Sequence, residues 1–208
     1  YDTLSAAVTA ANDGDTITLS TDASTSFIKI SKGITLDLGG NTLKIVDISK
    51  NTIGIAFTKG TSTIKNGTII DDHVFVSDNS GSYTKNSGTI MVYVGEKETS
   101  LTTSNIVLKT YQPASKDDYS YILYVRDGAE VILNTGTNLI DQPFENYNSG
   151  TYTTYGSIGV TVLGGDSTYP GGAALTVNDG VTIDTYGFAI SGNGEMHGTT
   201  IKINGGQI

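Results

Sequence analysis

The chain has 208 residues, 16% of them charged, with 12 Lys and Arg against 21 Asp and Glu and a net charge of −9. Such an acidic chain offers no concentrated basic footprint, so DNA, RNA and anionic membrane surfaces are not expected partners. It has no Cys, which removes disulfides, thiolate zinc sites and thiol nucleophiles, and no apolar run approaches the roughly 20 residues of a spanning helix.

Tyr1 is not an initiator Met and no signal peptide precedes it, so the chain reads as a mature protein or an excised fragment. The first element is the one convincing helix. Thr3 is placed to cap it, Leu4, Ala7, Val8 and Ala11 share one face, and Asn12-Asp13-Gly14 stops it. After it come only short strands and turns: Ile17-Thr18-Leu19, Ile28-Lys29-Ile30, Ile34 to Leu38, Leu43-Lys44-Ile45. Each alternates aliphatic and polar residues, which a disordered chain rich in Gly, Ser and Thr has no reason to do.

A corner pattern recurs: an apolar residue, any residue, Lys or Asp, then Gly. It stands at Ile30 to Gly33, Phe57 to Gly60, Val125 to Gly128 and Val177 to Gly180, with degenerate versions at Val94 to Lys97 and Thr154 to Gly156, and another at Ile203 to Gly206. Gly admits the positive φ that a tight corner needs. Asn66, Asn105 and Asn178 suit the same turns and the formation of side-chain ladders. The spacing predicts about seven coils of roughly 25–35 residues, each with three strands and no intervening helix.

The expected fold is therefore all-β: a right-handed parallel β-helix with an N-terminal capping α-helix. Residues 1–20 form the cap and 21–208 the coils of a single domain, with the rung phase between Asp141 and Gly172 left open. A β-sandwich would show longer strands, often joined by hairpin turns. Because an uncapped solenoid end exposes strand edges, further coils or a second cap are expected beyond Ile208 in a longer parent chain.

The stretches Ala10 to Leu19 and Lys32 to Leu43 resemble the opening of pectate-lyase-like β-helix domains, in particular those of large surface proteins of gut Gram-positive bacteria. Gly187 to Gly194 and Thr200 to Gly206 resemble later coils of the same group. The resemblance implies the fold and an extracellular, cell-surface setting, with attachment through regions outside this segment. The lack of Cys is compatible with that setting. The resemblance says less about function, because this fold carries lyases, hydrolases and non-catalytic adhesins alike.

Three inserts break the rhythm: Asp71 to Gly88, Tyr111 to Ser120 and Asp141 to Ser157. Inserts at one phase of successive coils project from one side of a solenoid. They concentrate Tyr83, Tyr111, Asp117, Asp118, Tyr119, Asp141, Glu145, Tyr147, Tyr152 and Tyr155. Tyrosines beside carboxylates suit glycans, with ring faces against sugar C–H groups, and equally suit protein contacts or packing of the loops onto the wall.

If the chain were an enzyme, the resemblance implies a cationic base, with calcium held by clustered carboxylates in a lyase. The only Arg is Arg126, and the best acidic pair is Asp71-Asp72, followed by His73. Arg126 sits in a corner, as charged residues do in other coils, so a solvated corner residue explains it. His197, beside Met196, falls about four coils from Asp72, roughly 19 Å at one strand spacing per coil, too far to act with it. Asp13-Gly14-Asp15 lacks the spaced acids of a calcium loop. Thr63, Thr103, Thr182 and Thr200 do not repeat as the paired ranks of an ice-binding face. Asn66-Gly67-Thr68 matches a glycosylation sequon but equally fits a corner turn.

The sequence thus reads as a non-catalytic β-helix of a bacterial surface protein. It would bind a host or plant glycan, or a surface protein, through its inserts, with no metal or cofactor. The alternatives are a lyase or glycoside hydrolase acting on an acidic polysaccharide, and a ligand-free spacer.

Overall fold

A computed structural model describes residues 1–46, 53–71, 75–77, 83–85, 89–111, 120–142, 157–165, 171–192 and 198–208, with the backbone alone at 75–77, 83–85 and 142. The helix α1 spans Leu4–Ala10. The Thr3 hydroxyl accepts from the Ala6 N–H, and Leu4, Ala7 and Val8 are buried.

The chain then winds into parallel coils, each contributing a strand to each of three faces. The first coil holds β1 (Thr16–Thr18), β2 (Ala23–Thr25) and β3 (Ile28–Ile30), so stacking begins within the segment read as cap. The second holds β4 (Thr35–Asp37), β5 (Thr42–Ile45) and β6 (Ile53–Phe57). In the third, β7 (Gly60–Asp71) bends from the first face onto the second; a hairpin of β8 (Phe75–Ser77) and β9 (Tyr83–Lys85) precedes β10 (Thr89–Val94). The fourth has β11 (Thr99–Tyr111), bent in the same way, and β12 (Ser120–Val125). The fifth has β13 (Glu130–Leu133), β14 (Thr137–Gln142) and β15 (Ile158–Val162). The sixth has β16 (Ala174–Val177), β17 (Thr182–Asp184) and β18 (Ile190–Gly192), and the seventh opens with β19 (Thr200–Ile203).

The first face reads β1-β4-β7-β11-β13-β16-β19, which is seven coils, and the third β3-β6-β10-β12-β15-β18. All pairings on the three faces are parallel, and the fold is a parallel β-helix. Parallel pairing stacks like on like. Ile17, Leu36, Ile64, Thr103, Leu133, Val177 and Ile203 form one inward column of the first face. On the third face Ile30, Phe57, Val94, Val125 and Val162 do the same, all fully buried. Each coil closes over its neighbour's apolar column, and this shared burial is the main stabilising term.

The helix seals the first coil. Lys32 Nζ donates to the Ala11 carbonyl at 2.6 Å, and Asp13 Oδ1 accepts the Gly33 N–H at 2.7 Å. Asp15 Oδ2 accepts the Asn12 N–H at 2.7 Å, so Asp13-Gly14-Asp15 serves as a turn that fastens the cap. At the other end the inward residues Ile201 and Ile203 are 42% and 53% exposed.

Two kinds of corner exist, and the sequence pattern had merged them. Gly33, Gly60 and Gly128 turn the chain from the third face to the first. Gly180 instead lies in the column that turns the first face to the second, where its carbonyl accepts the Gly136 N–H at 2.9 Å. In that column Asn66 and Asn105 take φ of 60° and 48° and Gly136 78°, a left-handed conformation that Asn and Gly tolerate. Gly206, in the terminal Ile203 to Gly206 segment, stands at the same first-to-second-face corner, one residue past the position opposite Gly180. Its φ is 101°, and Gln207 beyond it bridges to Thr182 on the second face. The Asn ladder forms along its edge: Asn204 Nδ2 donates to Asn178 Oδ1 at 2.8 Å and Asn178 Nδ2 to Asn134 Oδ1 at 2.7 Å.

Thr154 to Gly156 lies outside the described residues. After it β15 lies on the third face and β16 on the first, and the Ala173 N–H donates to the Leu163 carbonyl at 2.9 Å, which fixes the phase left open by the sequence. Phe188, expected in a strand, is exposed, and β18 starts at Ile190. No helix among the described residues is long and apolar enough to cross a membrane.

Candidate functional site

The strands that flank the three inserts are in each case a second-face strand before and a third-face strand after, in the third, fourth and fifth coils, so the inserts fall at one phase of the chain. The described residues at their roots are polar, and all but the half-buried Asp141 and Tyr111 are buried. On the second-face side Asp71, Thr110 and Asp141 stack in register, and Thr110 Oγ1 donates to Asp71 Oδ2 at 3.3 Å. On the third-face side Thr89 and Ser120 share a hydroxyl hydrogen bond of 3.1 Å. Asp141 accepts the N–H groups of Ser157 at 2.9 Å and Tyr186 at 3.1 Å, and Ser157 Oγ donates to the Tyr111 carbonyl at 3.1 Å. These groups have no exposed coil end to satisfy them, so they bond across coils. Asp71 and Asp141, both expected at a site, thus fasten the insert roots. Tyr111 ends β11 half-buried. Tyr83 sits in β9 opposite Ser77, with its side chain outside the described residues. Asp72, His73, Asp117, Asp118, Tyr119, Glu145, Tyr147, Tyr152, Tyr155, Met196 and His197 also lie outside them.

The described residues gather chemistry on the outer surface of the third face instead. Tyr93 and Tyr124 are register partners on adjacent coils, their rings 6.3 Å apart and 16° from parallel. Tyr121 meets Tyr124 edge to face at 5.2 Å. Beside them on the same surface stand Ile53 and Ile90, the register partners of Tyr121 in the coils below. The three tyrosines are half-buried, and Tyr121 directly follows the second insert.

A change of parity makes this possible. Strict alternation would put Tyr121 and Tyr124 on opposite sides. Here Ile122 and Leu123 are both fully buried, and the ladder steps from Tyr121 to Leu123 without pairing Ile122. The same double inward step recurs at Gly54-Ile55, Met91-Val92 and Gly159-Val160. These tyrosines were absent from the sequence-based candidates. The signal was Tyr93 one coil before Tyr124, legible only once the register is known.

The platform ends at the corner after β12. Tyr93 Oη donates to Asp127 Oδ2 at 3.3 Å. Arg126 Nε lies 2.8 Å from the same oxygen, an ion pair off the line of an aligned hydrogen bond. Asp127 holds this post with φ of 58°, and a Cβ at Gly95 would collide with the Tyr93 ring. Burial, then the Asp127 charge, pushes the Tyr93 phenol up to about 12. Contact with the Asp127 carboxylate, partly opposed by burial, raises Arg126 above its ordinary value. Arg126 is therefore a poor proton acceptor. It is also separated from Asp71 by about the length of a third-face strand, on the order of 15–20 Å at roughly 3.3 Å per residue.

Two other features are chemically plainer. The first face carries outward Thr16, Thr35, Thr63, Thr102 and Thr176 in one register column, interrupted by Ile132 and ended by Lys202. Thr103 points inward and is buried, so paired threonine ranks are absent from this column. A cleft of about 560 Å³ lies between α1 and the first two strands, lined by Thr, Ser and Asp side chains together with small and aliphatic ones. No group of three metal-ligating side chains occurs among the described residues. Comparison with protein-family models, with curated proteins and with solved structures found no match.

Proposed function

We propose that this chain is a non-catalytic β-helix of a bacterial cell-surface protein that binds glycan on the outer surface of its third face. The observation that carries the reading is the line of Tyr93, Tyr121 and Tyr124 on one outer surface, next to the Arg126–Asp127 pair. Aromatic faces carry negative charge and receive sugar C–H groups, while the polar rim serves hydroxyls. Tyr121 directly follows the second insert in sequence, which keeps the inserts in view as a second part of such a site. Two points favour binding over catalysis: Arg126 is held by Asp127, and Asp71 is tied into the insert root. The surface setting and bacterial origin rest on the resemblance to pectate-lyase-like domains in Ala10 to Leu19 and Lys32 to Leu43.

The test is a glycan array probed with the chain and with Tyr124→Ala. Binding that drops at least tenfold in the variant, with folding intact by circular dichroism, is the expected outcome. Silence across the array for the unaltered chain would instead favour a spacer.

A further inference from the structure

The platform has a charge as well as a shape, and the charge is set by one residue. Among the described residues Arg126 is the cation that lies against Asp127 at the platform's rim, and its side chain is 39% exposed. Asp127, only 12% exposed, lies against its Nε and simultaneously takes the Tyr93 hydroxyl proton in a hydrogen bond. The next corner below adds exposed Glu96, Lys97 and Glu98. The rim therefore holds two cations against three carboxylates. The outward positions of the third face between the second and fifth coils are Ile53, Ala56, Ile90, Tyr93, Tyr121, Tyr124, Ile158 and Thr161, none of them charged. Lys29 lies a coil beyond Ala56, at the capped end.

A uronate or sulfate needs an uncompensated cation to repay its desolvation, and here it would also approach a fixed carboxylate at close range. A neutral sugar meets no such cost. Its hydroxyls can use the guanidinium donors and the carboxylate oxygens of the pair together, and its apolar face can use the rings.

We infer that Asp127 is the specificity-determining residue of this surface: by neutralising Arg126 it makes the tyrosine platform select uncharged glycans and reject acidic ones. The inference rests on the glycan-binding reading of the third face. It also separates the chain from the acidic-polysaccharide chemistry that the sequence left open.

The experiment measures binding to a neutral and an acidic polysaccharide panel, for example galactan and xylan against polygalacturonate and alginate, by calorimetry at low and high salt. The full chain is compared with Asp127→Asn, Asp127→Gly and Arg126→Gln. Asn and Gly both accept a φ near 58°, so the corner can be kept in at least one of the two. The expected result is neutral binding alone in the unaltered chain. The acidic-to-neutral affinity ratio should rise at least tenfold in a folded Asp127 variant, and that gain should fade with salt because it depends on an exposed charge. Acidic binding by the unaltered chain that is lost in Arg126→Gln would overturn the inference while leaving the glycan reading intact. An unchanged ratio in both folded Asp127 variants would also overturn it. Failure of the unaltered chain to bind either panel would remove the glycan reading and the inference with it.

Discussion

The first and third faces of the solenoid are alike inside and different outside. Inward, both stack apolar side chains coil upon coil: Leu36, Ile64 and Leu133 on one, Phe57, Val94 and Val125 on the other, all fully buried. Outward, the first face shows threonines, serines and the Asp37–Lys65 ion pair at 3.4 Å, whereas the third shows isoleucines and tyrosines. The inward side is dictated by the need of every coil to close its neighbour. The outward side is free of that demand, so closing the coils does not account for the aromatic surface there.

The largest expected effect tests the shared interior. Leu101→Ala on the first face and Leu123→Ala on the third should each cost about 2–5 kcal/mol, because each leaves a cavity in a continuous column. Urea denaturation reads both, and a small cost on either face would break the symmetry. Next comes the outer difference. Tyr124→Ala should lose glycan binding at least tenfold in titration calorimetry, while Thr102→Ala on the first face leaves it unaltered. A loss in Thr102→Ala of the same size would move the site to the wrong face.

A smaller effect separates the faces by pH. Because the folded Tyr93 phenol is raised to about 12 from 10.0, it favours the protonated form in the folded state. Its contribution is complete below pH 10 and declines as pH rises towards 12. Tyr93→Phe should flatten the fall in unfolding midpoint over that window, and an identical fall in both proteins would count against the buried phenol. The smallest effect lies on the first face. Burial pushes Asp37 up, but the Gly39 N–H, Asn66 and Lys65 outweigh it and hold the carboxyl below its ordinary value. Its contribution is present above pH 3.8 and is lost as pH falls. Lys65→Ala should cost only about 0–1 kcal/mol by thermal melting near neutrality, as exposed pairs generally do.

Much of the fold was legible along the chain because its causes are local. Thr3 and the Leu4, Ala7, Val8 stripe mark the helix, and alternating aliphatics mark strands such as Leu43-Lys44-Ile45. The corner signal was ambiguous for a physical reason. An aliphatic strand end followed by a residue with positive φ describes Gly128 and Gly180 equally, although one ends the third face and the other the first. The site was less legible. Asp71 and Asp141 stood out as acids beside inserts, yet their register partners make them anchors. Tyr93, Tyr121 and Tyr124 were hidden because the Ile122-Leu123 step reverses the parity by which a strand is read.

By itself, then, the sequence determined the class of fold, the capped beginning and about how many coils there are, since turn chemistry and alternation act over a few residues. Only the tertiary structure decided which residues meet. Tyr93 faces Tyr124, and Asp127 reaches both Arg126 and Tyr93, because hydrogen bonds between successive coils set a register that no single coil contains.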